Sequence, residues 1–360
     1  MPAEFESQQA AYMIWPQRPD NWRDGGKPAQ RAFAQIADLL ADYEPVTMLV
    51  NQSQYSHAKS LLSPKVRLLE MSSNDSWMKD YGPFYVVNDQ GQVRAVDFQF
   101  NAWGGLVDGL YFPWDLDNQI AMKIADLDQV DYYSAATVLE GCAILVDGQG
   151  TLFTTEDVVL SEGRHPDGWT KAQAEQVFHD YLGITKTIWL PQGFFMDETG
   201  GDVDNLLNVV APGEIVLTWT DNPNDPQYAI SQEAYQILRQ ATDAQGRHLK
   251  IHKLALPRVL RLKREEAEGV DRINGDQPRF AGQRLTASYV NYITTDHAIL
   301  VPTFADPNDA PAQRLLAQLY PGRKIVGVPS DAVHEVLTGG GNIHTIVGGV
   351  PSFQKTGDAQ

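Results

Sequence analysis

An order of elements that returns about five times along the chain is the feature that most restricts its fold: a helix, a strand, then a β-hairpin. In the first unit Pro28 opens a helix with Phe33, Ile36, Ala37 and Leu40 at helical spacing, and 46–50 reads as a strand. Its hairpin joins 84–87 to 93–98 across Asp89-Gln90-Gly91, where glycine accepts positive φ without steric cost. The second hairpin joins 144–146 to 152–154 through Asp147-Gly148-Gln149-Gly150. In the third unit Thr170 and Gln173 are placed for a capping box, Gly183 ends the helix, 187–190 is the strand, and 206–210 turns into 215–219 at Pro212-Gly213. The fourth has a helix capped by Ser231 and running to Ala241, a strand over 249–254, and a hairpin of 289–293 with 298–302. The fifth has a helix near 311–319 and a strand over 324–328, but its last strand, 343–347, lacks a hairpin partner unless 12–15 supplies it. That pairing would join the chain ends and close a ring of modules, leaving few exposed strand edges. The expectation is an α/β fold, one domain over residues 1–360, closed by the N-terminal strand.

With 43% hydrophobic residues the chain can build a large core. Lys and Arg number 28 against 46 Asp and Glu, a formal net charge of −18, which argues against nucleic acid or polyphosphate and suits a small cationic ligand. One cysteine, Cys142, excludes an intramolecular disulfide and a cysteine-built zinc cluster. No apolar run reaches the roughly 18 residues of a membrane helix, and Met1-Pro2-Ala3-Glu4-Phe5-Glu6 lacks the basic and apolar segments of a signal peptide. A cytoplasmic protein without membrane attachment is expected.

Polar and glycine-rich stretches recur between strand and hairpin, at 77–83, 139–142, 197–205 and 339–345, where a ring would turn them towards a common axis. Convergence would crowd several carboxylates together. Such carboxylates must be protonated, hold a metal, or be bridged by a delocalised cation such as guanidinium, and the last suits the acidity. Taken singly, Asp80, Asp197 and Asp202 also read as turn residues that accept from nearby backbone donors. Asp80, Glu140, Asp202 and Asp204 offer hard oxygens for magnesium or calcium, but no spacing matches a metal loop. Neither a metal nor a cofactor is expected.

At these motifs, and over nearly its whole length, the chain resembles the agmatine deiminase family, within the guanidino-group-modifying superfamily of arginine and peptidyl-arginine deiminases. The resemblance rests on Met1 to Glu6, Trp15-Pro16-Gln17-Arg18-Pro19-Asp20-Asn21-Trp22, Phe100-Asn101-Ala102-Trp103-Gly104-Gly105, and residues 151–156, 221–228 and 339–344. It implies a pentein-like α/β propeller, a ring of ββαβ modules about a pseudo-fivefold axis. It also implies the family reaction, agmatine and water to N-carbamoylputrescine and ammonia, in which a cysteine thiolate attacks the guanidinium carbon and a histidine moves the protons. By position in the motifs, the resemblance makes Asp80 and Asp204 the guanidinium-binding aspartates, Glu140 the active-site glutamate and Trp77 a substrate-binding residue.

Two positions depart from the pattern. The family's Gly-His-Val-Asp-Asn reads Gly201-Asp202-Val203-Asp204-Asn205, and its Asn-Ile-His-Cys reads Asn342-Ile343-His344-Thr345. Asp202 therefore stands for the acid/base histidine and Thr345 for the nucleophile, while Lys79 replaces an arginine and Cys142 the second glycine after Glu140. Losing a nucleophile lowers turnover about a millionfold in a comparable system. Thr345 has no matched base, since His344 beside it would face the other way on a strand, and Cys142 reads as a buried thiol whose pKa neighbouring carboxylates raise. The expectation is an inactive family member that binds agmatine or a related amine through Asp80, Glu140, Asp202 and Asp204. Two alternatives remain open: a hydrolase of altered chemistry on a guanidino or amino compound through the same carboxylates, and a non-catalytic subunit of an active paralogue. Self-association as a homo-oligomer is expected from the resemblance.

Overall fold

A computed structural model describes residues 1–273 and 279–353. Strands β1 (Gln8–Ile14), β2 (Val46–Val50) and β3 (Arg67–Glu70) run parallel. Then one pattern repeats: an antiparallel hairpin whose second strand pairs in parallel with a third, reached by a crossover. It is made by β4 (Phe84–Val87), β5 (Val93–Gln99) and β6 (Tyr132–Val138), then by β7 (Ile144–Val146), β8 (Thr151–Thr155) and β9 (Lys186–Leu190). It returns in β10 (Leu207–Ala211), β11 (Glu214–Trp219) and β12 (Lys250–Ala255), and in β13 (Ile293–Thr294), β14 (Ala298–Pro302) and β15 (Lys324–Val328). Finally β16 (Gly348–Pro351) lies antiparallel to β1, with Tyr12 opposite Gly348 and Ala11 opposite Gly349. The first and last strands thus meet in one sheet, and among the described residues the strands form five small sheets of an α/β ring.

The crossover helices bury one stripe each. Lys27–Leu40 places Phe33, Ile36, Ala37 and Leu40 in the largest core cluster at 0% exposure, where each large side chain contributes about 1.5–3 kcal/mol. Lys171–Leu182 starts with the Thr170/Gln173 capping box and ends at Gly183 in the left-handed region, φ 69°.

Three expectations are corrected. The fourth helix is Gln227–Leu238, with Ser231 buried inside it; Asp225 and Pro226 start it, the Asp225 carboxylate accepting from the Gln227 N–H at 3.0 Å. Residues 289–292 are not strand, and the hairpin keeps only Ile293–Thr294 opposite Ile299 and Leu300. Nor is 343–347: the N–H groups of Ile343 and His344 donate to the side chains of Asn342 and Asn291, at 2.8 and 2.9 Å, and so are not free for a ladder. The closing strand starts only after this segment, at Gly348.

Candidate active site

Each module carries a short segment, polar or glycine-containing, just before the first strand of its hairpin: Met78–Tyr81 before β4, Gly141–Ala143 before β7, Val203–Asn205 before β10, Asn291 before β13 and His344–Thr345 before β16. These five segments converge. The Cys142 N–H donates to Asp80 Oδ1 at 3.1 Å, Asn291 Nδ2 donates to Asp204 Oδ2 at 2.9 Å, and the Lys79 N–H donates to the Thr345 carbonyl at 3.0 Å. Gly141 permits one of these approaches, because a Cβ there would lie 2.0 Å from the Lys79 carbonyl oxygen.

His344 joins two carboxylates, its Nδ1 2.8 Å from Asp204 Oδ2 and its Nε2 2.7 Å from Glu4 Oε2. Glu4 also takes the Lys79 ammonium. Burial opposes charge on all three. Yet Glu4 drives the imidazole up to about 9 and raises the Lys79 ammonium, while His344 and Lys79 hold the Glu4 carboxyl well below the usual range. With a carboxylate at each ring nitrogen, His344 is set up to carry its charge as an imidazolium.

Around Asp80 the balance is opposite. Glu140 is 1% exposed and accepts from Arg164 Nε at 2.8 and 3.0 Å, so the nearest guanidinium is already committed. Arg164 also donates to the Thr199 carbonyl, and the Thr199 hydroxyl to Asp202 Oδ2 at 2.6 Å. Asp80 Oδ2, Asp202 Oδ1 and Asp204 Oδ1 are buried without a partner. Burial first, then neighbouring carboxylates, pushes Asp80 and Asp197 up to about 7 and Asp202 well above its ordinary value. Asp197 is the turn residue among them, accepting from Thr199 and from the Asp202 N–H. The Cys142 thiol sits amid Asp204, Asp80 and Asp202, and burial and those charges raise it strongly.

Neighbours His344 and Thr345 line different cavities. A cavity of about 90 Å³ opens beside His344, Lys79 and Glu4. Another of about 30 Å³ opens beside Thr345, Thr199, Trp77, Trp103 and Asp75. Trp77 is stacked on Trp22 at 5.1 Å, and its Nε1 donates to Asp75 Oδ2 at 2.9 Å. Gly341 presses on the Trp77 ring so closely that a Cβ would fall 2.4 Å from it.

The family model described as Porphyromonas-type peptidyl-arginine deiminase matches residues 1–351. The chain belongs to that family. It is 46% identical to the agmatine deiminase of Pseudomonas aeruginosa over 99% of this chain and 96% of that one, and 54% identical to a Listeria monocytogenes relative over 98% and 94%. The solved agmatine deiminase of Enterococcus faecalis superposes with a TM-score of 0.93 at 45% identity, covering 98% of this chain and 95% of that one. The ring of modules expected from the repeats, and the pentein-like propeller implied by the resemblance, are thus the fold of its relatives.

Within this family member, sequence reasoning had singled out Asp80, Glu140, Asp202, Asp204, Thr345 and Trp77. Asp80, Asp202 and Asp204 come together, Glu140 is joined to them through Arg164, and Thr345 and Trp77 line the smaller cavity. Glu4, Arg164, Asn291 and the bridging place of His344 were missed. Glu4 lies 340 residues from its partner, and nothing local marks it beyond the quoted Met1–Glu6 stretch.

Proposed function

We propose that this chain binds a guanidinium or amine cation, with agmatine as the first candidate, and has lost the deiminase turnover of its family. The observation carrying this reading is the set of unpartnered buried oxygens on Asp80, Asp202 and Asp204, beside an arginine held by Glu140 and a lysine held by Glu4. Unpaired buried carboxylates are costly, and a planar guanidinium supplies up to five donors to such a group. Asp202 and Thr345, standing where the resemblance puts histidine and cysteine, leave no general base beside a nucleophile at those positions. The reading takes residues 1–360 as one cytoplasmic, self-associating domain.

Calorimetric titration with agmatine tests binding: heat that saturates is expected, and none at millimolar ligand overturns it. Turnover is tested by mass spectrometry for N-carbamoylputrescine, with the Asp202→His, Thr345→Cys double variant alongside. Product from the double variant alone is expected. A second reading, thiol chemistry relocated to Cys142, is favoured by the closeness of that thiol to Asp204 and His344. Product from the unaltered chain that disappears in Cys142→Ala would establish it in place of the first.

A further inference from the structure

We propose that Cys142, Asp204 and His344 form a binding site for one zinc-class divalent ion. A sulfur, an oxygen and a nitrogen from three modules lie within 4.8 Å of one another, on residues that are 1%, 0% and 3% exposed. Zinc bonds of about 2.0–2.3 Å would draw these atoms somewhat closer, a matter of side-chain torsions. A thiolate, an imidazole and a carboxylate together select zinc or cobalt over magnesium or calcium, which prefer all-oxygen cages. The site therefore differs from the four carboxylates Asp80, Glu140, Asp202 and Asp204, whose hard oxygens the sequence offered to a metal without one being expected there.

Two further observations point to a ligand here. Asp204 Oδ1 and Asp80 Oδ2 are buried with no partner, and the Asp80 carboxyl lies against the thiol, just outside the three-atom cluster, placed to hold a bound water. An outer shell is also present. Glu4 accepts from His344 Nε2 at 2.7 Å, the carboxylate–histidine arrangement that orients a metal-bound imidazole through its other nitrogen, and Asn291 Nδ2 steadies Asp204 at 2.9 Å. On binding, the thiol and the imidazolium Nδ1 would each release a proton to solvent, and zinc would form bonds to sulfur and nitrogen without any change of oxidation state.

The inference does not rest on agmatine binding, although both ligands would engage Asp204 and should exclude one another. The test uses the full chain, free of any affinity tag and stripped with chelator. Cobalt(II) is added and absorption recorded, and metal content is measured after desalting of a zinc-loaded sample. One ion per chain is expected, with a near-ultraviolet thiolate-to-cobalt charge-transfer band and intense tetrahedral visible bands. Cys142→Ser should abolish the charge-transfer band, and Asp204→Asn should weaken zinc binding at least tenfold. Thermal unfolding confirms that each variant folds. Less than about a tenth of an ion per chain, or an unchanged cobalt spectrum in Cys142→Ser, would overturn the proposal while leaving the agmatine titration to stand by itself.

Discussion

The two sides of the Asp204–His344 contact are built on opposite electrostatic plans. Towards the N-terminal segment, Glu4 sits between the His344 imidazolium and the Lys79 ammonium, so each buried charge faces an opposite one. Towards Asp80 and Asp202, the chain supplies one guanidinium and Glu140 takes it, leaving buried carboxyl oxygens without donors. A low-dielectric interior penalises unpaired charge far more than paired charge, so the first side is complete as folded and the second is suited to a cation from outside. The unpaired oxygens are the ones left open to such a cation.

The largest effect expected is on the one compensated pair of the acidic side. Glu140→Ala would leave Arg164, 4% exposed, as a buried cation without its carboxylate, at a loss of about 3–5 kcal/mol in urea unfolding. A loss below about 1 kcal/mol would mean that Asp202 takes over the pairing. Next comes Glu4→Gln on the paired side. His344 titrates at about 9 when folded, above its unfolded value, so its contribution is full below about pH 6.5 and is lost as pH rises through about 9. The unaltered chain should lose roughly 3 kcal/mol across that window, and Glu4→Gln should be less stable at neutral pH, with a flatter alkaline limb. Parallel alkaline limbs would show that Glu4 does not hold the imidazolium.

The same contrast explains what could be read from the sequence. Most hairpins and the recurring order were legible because they rest on short-range chemistry: Thr170 with Gln173 is three residues of information, and closure by the N-terminal strand followed from counting modules, although its partner is 348–351 and not 343–347. Residues 343–347 looked like a strand because their apolar pattern is local, whereas the side chain of Asn291, 53 residues before His344, captures a backbone donor and bends the segment. On the acidic side, Asp80, Asp202 and Asp204 stood out since each sits in its own polar motif. The paired side was hidden. His344 appeared only as the neighbour of Thr345, and its true partners arrive from Glu4 and from Asp204, 140 residues away. Long-range pairing leaves no periodicity to detect.

A pH series of agmatine affinity sharpens the comparison from the ligand's side. Asp80 and Asp197 titrate at about 7 in the free chain, above their unfolded values, because burial and then nearby carboxylates disfavour their anions. A bound cation favours those anions, so below pH 7 it must displace protons. Affinity should rise about tenfold per pH unit for each proton displaced between pH 5 and 7, and the Asp202 carboxyl, which burial also pushes well up, extends the rise for as long as it holds its proton. Affinity independent of pH over that range would place the cation away from Asp80.

Trp77→Phe gives the smallest effect and separates the two sides most cleanly. The substitution keeps an aromatic ring against Gly341 but removes the Nε1 donor to Asp75, which retains Asn21 at 3.0 Å and the Trp22 indole at 2.7 Å. With Asn21, Trp22 and the Ser76 hydroxyl still donating to Asp75, the cost should be about 1 kcal/mol of stability. Trp77 lines the cavity at Thr345 and makes no contact with Glu4 or with the His344 imidazole among the hydrogen bonds and ring contacts described, so agmatine affinity should fall a few-fold while the alkaline stability loss near pH 9 is preserved. Were that alkaline loss to change with the Trp77 ring, the paired and unpaired sides would be one coupled network, and their separate roles would have to be abandoned.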